Sequence, residues 1–193
     1  MSYQTNPALI DIIHKLSFRT GKFTLTSGAV SDYYIDLRVA STHPKGAVLI
    51  ADELLKRIGL LEEKPVCVGG MELGAVPVVA AVTTRSDQFG MPLPCFIVRK
   101  LAKKHGAGKR IEGHIHNGDA VVIVDDTVTT AKSALETVDA VLDEYPKCRV
   151  LAIIAIVDRQ EGGRERVEKR GIPFYSLITR EDLFAQDKKA KSQ

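Results

Sequence analysis

The sequence predicts an α/β protein: an open, mostly parallel, twisted sheet flanked by helices, with a small N-terminal hood. Three observations carry this. Residues 66–70, 94–98, 120–126 and 150–158 are short, β-branched runs bounded by Gly, Pro or charge. They are continuously apolar, as strands buried on both faces are. Helical patterns lie between them, which implies right-handed crossovers and an open sheet. The 193 residues suffice for one domain with its own core, and 45% apolar with 26% charged residues exclude a disordered or fibrous chain.

The elements follow in order. A helix is expected over residues 7–16. Residues 18–38 then alternate apolar and polar side chains with Gly at turn positions, which reads as antiparallel strands. Residues 44–58 place Val48, Leu49, Leu54, Leu55 and Ile58 at helical spacing, and residues 77–84 form a shorter Ala/Val-rich helix. Over residues 132–145, Ala134, Leu135, Val138, Val141, Leu142 and Tyr145 form one stripe, with Glu136, Asp139 and Asp143 outside it. A helix over 164–170 is stopped by Gly171 and Pro173, and 172–178 is a weaker strand. These divide the chain into a helix-and-hood subdomain (1–40), an α/β core (41–186) and a polar, frayed tail (187–193).

Composition narrows the function. Cys67, Cys95 and Cys148 are scattered, with no CxxC or Cys/His spacing, so free thiols are expected rather than zinc or disulfides. No basic segment followed by a long apolar run opens the chain, and the longest apolar stretch, 150–157, is too short for a bilayer. A cytoplasmic protein with no membrane partner is expected. The net charge of +3 is too mild for a nucleic-acid partner. It is also uneven. Residues 99–110 hold six of the 27 basic residues and no acid, leaving 21 basic and 24 acidic residues elsewhere, a net −3.

The most informative segment is VVIVDDTVTTAKSALE, residues 121–136. A buried strand ends in Asp125 and Asp126, a Thr-rich loop follows, and an amphipathic helix begins. Ligands of open α/β sheets bind beyond the carboxyl ends of strands, and the helix N-terminus offers free N–H groups to a phosphate. Thr127, Thr129, Thr130 and Ser133 add hydroxyls. Two carboxylates beside a phosphate seat suit a ligand with a phosphate at one end and ribose hydroxyls in the middle. They also favour positive charge developing on a sugar ring. The plainer alternative is a loop start with Thr130 or Ser133 capping a helix. The basic stretch after the second strand contains Arg99, Lys100, Lys103, Lys104, His105, Lys109 and Arg110, with Gly106 and Gly108 between. It suits folding over a polyanion; a solvated charge run is the alternative.

Strand-Asp-Asp-x-x-Thr-Thr resembles the 5-phosphoribosyl 1-diphosphate (PRPP) motif of type I phosphoribosyltransferases. Three further segments resemble orotate phosphoribosyltransferases: FTLTSGAVSDYYIDLR (residues 23–38) their hood, GGMELGAVPVVAAV (69–82) their second-strand loop, and FIVRKLAKKHGAGKRIEG (96–113) their catalytic loop. All four occur in the family's order and span nearly the whole chain. The resemblance implies transfer of phosphoribose from PRPP to orotate, giving orotidine 5′-phosphate and diphosphate in pyrimidine (UMP) biosynthesis. It assigns catalytic roles to Lys103, His105, Asp125 and Asp126. PRPP would be bound by Arg99, Lys100, Lys103, His105, Asp125, Asp126, Thr127, Val128, Thr129, Thr130, Ala131, Lys132 and Ser133, and orotate by Thr129 and Arg159. Tyr33 and Tyr34 are candidates to pack against the base, and Arg159 alternatively pairs with Glu161. Mg²⁺ is the implied cofactor, held mainly by substrate and water with no protein metal site. A homodimer sharing the 99–110 loop between subunits is implied as well.

The chain departs from the family pattern at several points. The PRPP loop reads Thr130-Ala131-Lys132 where Gly is usual, and alanine does not freely adopt φ > 0. Thr26 and Ala29 replace hood cations, Leu101 stands where Glu is common, and Glu72-Leu73 occupy a segment that holds Lys in some members. Two other functions are weighed against the enzyme: a non-catalytic regulator that senses PRPP, and a transferase for a different base. The few residues before the first helix argue against a DNA-binding domain, and the intact basic loop argues for catalysis.

Overall fold

The computed structural model describes residues 4–24, 28, 30–101 and 109–192. The first helix, α1 (Pro7–Ser17), starts where the Asn6 side chain accepts the Ala8 N–H at 2.9 Å and Pro7 takes the first helical position. Two antiparallel strands follow, β1 (Phe18–Thr24) and β2 (Val30–Ile35), and then a five-residue helix α2 (Leu37–Ser41). The remaining elements alternate: α3 (Pro44–Gly59), β3 (Cys67–Met71), α4 (Ala75–Ser86), β4 (Cys95–Val98), β5 (Ile111–Gly113), β6 (Ala120–Val128), α5 (Lys132–Glu144), β7 (Arg149–Asp158), α6 (Gly163–Glu168), β8 (Phe174–Thr179) and α7 (Arg180–Lys191).

Strands β3 to β8 form one sheet in the order β5-β4-β3-β6-β7-β8, parallel throughout except for the antiparallel edge strand β5. Helices cover both faces. Val122, Val124, Ile154 and Ile156 pack with Ile50 and Leu54 of α3 and Val78 and Val79 of α4. Their neighbours Ile123, Ile153 and Ala155 point the other way, against Ala134 and Val138 of α5. This two-sided burial explains why β6 and β7 are apolar without alternation. Each fully buried Ile or Leu contributes about 1.5–3 kcal/mol. Leu9 and Ile13 of α1 join the first of these clusters, so the N-terminal helix is fixed to the core. Among the described residues, no helix is long and apolar enough to cross a membrane.

Chain order reverses between β3 and β6. From β3 the sheet grows outward through β4, and from β6 the other way through β7 and β8. Such a switch point leaves a crevice at the carboxyl ends of the two strands.

Two differences from expectation have clear causes. Strand β6 runs two residues past Asp126, because Thr127 and Val128 continue to pair with Val157 and Asp158. The tail expected to fray from residue 187 instead continues α7 to Lys191. A capping box between Thr179 and Asp182 starts that helix. Asp187 then ties it down, 3.1 Å from His14 Nε2 on α1 and 2.6 Å from Lys191 Nζ.

Candidate active site

A cleft of about 340 Å³ opens at the switch point. The hood end contributes Tyr34, Asp36 and Arg38, and the turn after β3 contributes Glu72, Leu73 and Gly74. Lys100, the ends of β6 and α5, and Arg159 after β7 complete its wall. Among the residues expected to bind PRPP, Lys100, Asp125, Asp126, Thr127, Thr129 and Ser133 come together here.

The acid pair is built tightly. Asp125 is 8% exposed, and its Oδ1 accepts the Asp126 N–H at 3.1 Å. Asp126 Oδ1 accepts the Thr127 N–H at 2.8 Å. Burial pushes the Asp125 carboxyl well above the usual carboxylate range, and the Asp126 charge beside it pushes the same way. Burial also raises Asp126, while the Thr127 N–H and the charge of Arg38 hold it back. Gly74 makes room for this arrangement. A Cβ there would stand 2.4 Å from Asp126 Oδ2, so only glycine lets the turn after β3 approach the carboxylate.

The loop between β6 and α5 is shaped by backbone. Ala131 adopts φ 58°, ψ 19° at the N-cap of α5, the left-handed conformation that the usual glycine adopts freely. Val128 and Ala131 are buried, their side chains packed into the core. Gly163 on α6 lies behind the loop, where a Cβ would meet Val128 Cγ1 at 2.5 Å and the Thr129 oxygen at 2.8 Å. The Thr130 carbonyl faces Arg166 Nη1 at 3.5 Å. The Lys132 ammonium is turned along the helix toward Glu136, 3.8 Å away, and is not part of the cleft wall.

At the β7 end of the cleft, the Arg159 Nε donates to the Tyr33 hydroxyl at 2.9 Å and lies 3.2 Å from Glu161 Oε1. Arg159 therefore pairs with Glu161 and also lines the cleft. Tyr33 is buried and reaches the site only through Arg159, whereas Tyr34 is 41% exposed and lines the cleft directly.

The ends of the basic loop are clamped. The Arg99 N–H donates to the Arg110 carbonyl at 2.8 Å, and the Arg110 Nε donates back to the Arg99 carbonyl at 3.1 Å. Arg110 Nη2 reaches the Lys100 carbonyl at 3.4 Å, and the Arg110 N–H donates to Glu144 Oε1 at 2.6 Å. Glu72 Oε1 accepts the Lys100 N–H at 3.0 Å, joining the loop base to the cleft wall. The Arg99 side chain is not part of the cleft wall and lies 3.6 Å from Glu112. Lys103 and His105, and the departures at Thr26 and Ala29, lie outside the described residues.

Sequence reasoning missed Arg38, Asp36, Glu72 and Glu144. Arg38 forms a two-point contact with Asp36, Nε to Oδ1 and Nη2 to Oδ2, both 2.8 Å. That contact holds the Asp36 carboxyl below its usual range. The YYIDLR stretch carried a signal for this pair, an acid and a base two residues apart at the hood's end; Glu144 carried none.

The phosphoribosyl transferase domain family matches residues 41–189. The orotate phosphoribosyltransferase of Pyrococcus abyssi is 41% identical over 90% of this chain and 91% of its own. That of Aquifex aeolicus is also 41% identical, over 83% of this chain and 86% of its own. Among solved structures, Mycobacterium tuberculosis orotate phosphoribosyltransferase in complex with Fe(III) dicitrate superposes with a TM-score of 0.80 at 37% identity, covering 91% of this chain and 97% of that one. The same enzyme in complex with PRPP gives 0.75 at 34%, over 91% and 96%. A switch-point cleft with a buried acid pair and a Thr-rich loop, and these relatives over most of the chain, lead to one assignment: the chain belongs to the orotate phosphoribosyltransferases.

Proposed function

We propose that the protein transfers phosphoribose from PRPP to orotate, releasing diphosphate and forming orotidine 5′-phosphate. The observation that carries this is the acid pair Asp125–Asp126 beside the loop at the α5 N-terminus, in one cleft with Arg159. The 5′-phosphate sits on the N–H groups and hydroxyls of residues 127–133, at the positive end of the α5 dipole. The ribose hydroxyls donate to Asp125 and Asp126. As the bond from C1 to the diphosphate breaks, the ring gains oxocarbenium character, and the two carboxylates stabilise that charge in a water-poor pocket. Lys100, with Arg99, Lys103 and His105, receives the charge left on the diphosphate. Arg159 and Thr129 hold the orotate so that its N1 attacks C1 from the opposite face. The carboxylate of orotate matches the guanidinium.

Mg²⁺ fits the donor set. Diphosphate, ribose hydroxyls and water form the oxygen shell this ion prefers. When bound, it neutralises the diphosphate. A cytoplasmic homodimer, with the 99–110 loop of one subunit serving the other's site, completes the reading; the hood (1–40) closes over the base and the core (41–186) holds PRPP.

The test is direct. The protein is mixed with orotate, PRPP and Mg²⁺, and the loss of orotate absorbance is followed. Turnover is expected, and K103A should lower it by about two orders of magnitude while the fold persists. Turnover only on another base would overturn the assignment. An unchanged rate for K103A would overturn the role of the loop.

A further inference from the structure

Arg159 is held far more firmly than a surface arginine. Its N–H donates to the Val128 carbonyl at 2.9 Å, tying it to the end of β6. The preceding residue, Asp158, is 3% exposed and accepts the Gln160 N–H at 2.8 Å, which fixes the turn. Its guanidinium lies 4.7 Å from the centre of the Tyr33 ring, and its Nε meets the Tyr33 hydroxyl. That hydroxyl donates onward to Glu161 Oε1 at 2.8 Å. The Tyr33 ring is itself fixed by Phe18 and Phe184, with centroids 6.1 and 5.5 Å away.

A guanidinium presents five N–H groups in one plane, and its two Nη groups form the edge that meets a carboxylate at two points. We infer that Tyr33 is a positioning residue for the acceptor base: with Glu161 it engages Arg159 at Nε, so that the Nη edge is presented to the carboxylate of the pyrimidine. This rests on the reading that Arg159 meets that carboxylate. Tyr33 thereby selects a carboxylated pyrimidine over one without the group, although it touches no substrate. Because Tyr33 belongs to the hood and Arg159 to the core, the hood's placement is keyed to the base site. Burial raises the phenol above its usual range, and Glu161 adds to this, so Tyr33 remains a neutral donor across the working pH.

The experiment compares Y33F, E161Q and R159K with the parent enzyme in the orotate assay, with KM for orotate, KM for PRPP and kcat measured separately. Y33F keeps the ring contacts with Phe18 and Phe184 and removes only the hydroxyl. It should raise KM for orotate about tenfold, the worth of one hydrogen bond to a charged group, and leave KM for PRPP within about twofold. Activity on uracil relative to orotate should rise. E161Q should shift KM for orotate in the same direction by a smaller factor, and it decides the matter if Y33F does not fold. R159K raising KM for orotate while Y33F and E161Q do not would overturn the positioning role and leave the base reading intact. An unchanged KM for orotate in R159K would overturn the base reading itself. Equal rises of both KM values in Y33F would mark Tyr33 as mere packing and overturn the inference.

Discussion

Ala131 holds the left-handed backbone conformation without the residue best suited to it. A non-glycine residue there costs about 1–3 kcal/mol. Glycine would relieve that strain but also free the unfolded chain, which offsets about 0.4–1 kcal/mol. A131G should therefore stabilise the protein by about 1 kcal/mol, or about 2–4 °C in Tm for a chain of this size. Thermal melts of the two proteins check this, and a lower Tm for A131G would show that Ala131 sits there without strain. At this scale the sequence was readable where chemistry is local. Asp125, Asp126, Thr129 and Ser133 all line the cleft because they follow a strand end and start a helix. It was unreadable where partners are distant in the chain: nothing near Tyr33 announces Arg159, 126 positions away.

The elements were legible in proportion to their periodicity. Helices α3 and α5 carry clear apolar stripes, and their ends matched the expected ones to within a residue. Helix α7 buries only Leu183, so no stripe revealed it; its order comes from the capping box and from the ties of Asp187 to α1. The edge strand β5 has three residues, too few to show a period. Its neighbour Arg110, one of the six cations of residues 99–110 in the sequence, caps the carbonyls of Arg99 and Lys100 at the base of the basic loop. R110A should thus misplace Lys100. We expect kcat/KM for PRPP to fall about tenfold with KM for orotate little changed. Steady-state kinetics with each substrate varied in turn test this, and equal kcat/KM values for PRPP would show that Glu72, Glu144 and the backbone bond from Arg99 to residue 110 suffice to fix the loop base.

For the whole molecule, the acid pair sets a conflict between stability and function. The folded state raises the Asp125 carboxyl above its value in the unfolded chain. The fold is therefore favoured when this group is protonated. That favour is complete below the ordinary carboxylate range, near pH 4, and is lost as pH rises through the raised folded value. Above that range the fold is increasingly penalised for keeping this carboxyl buried with the Asp126 N–H as its protein donor. D125N should melt higher than the parent at pH 7, show a smaller difference between melts at pH 5 and pH 7, and lose at least about tenfold in turnover. A D125N protein that melts lower at pH 7 would mean that the carboxylate is stabilising as it stands. The class of sheet was legible from the unbroken apolar runs, and the mild net charge resolved into a cationic loop on an acidic body.

The pairing of β6 with β7 has a metrical consequence. Val128 lies opposite Asp158, and the Arg159 N–H closes the ladder onto the Val128 carbonyl. The segments proposed to seat the phosphate and the base therefore leave the sheet side by side, one strand spacing of about 4.8 Å apart. On the proposed reading the sheet acts as a fixed gauge, on which the two reactants are registered against each other before any side chain moves. Loops around the cleft can drift in sequence without disturbing that distance. A single-residue deletion within β7 would turn Arg159 to the opposite face and put the gauge out of register by one pleat.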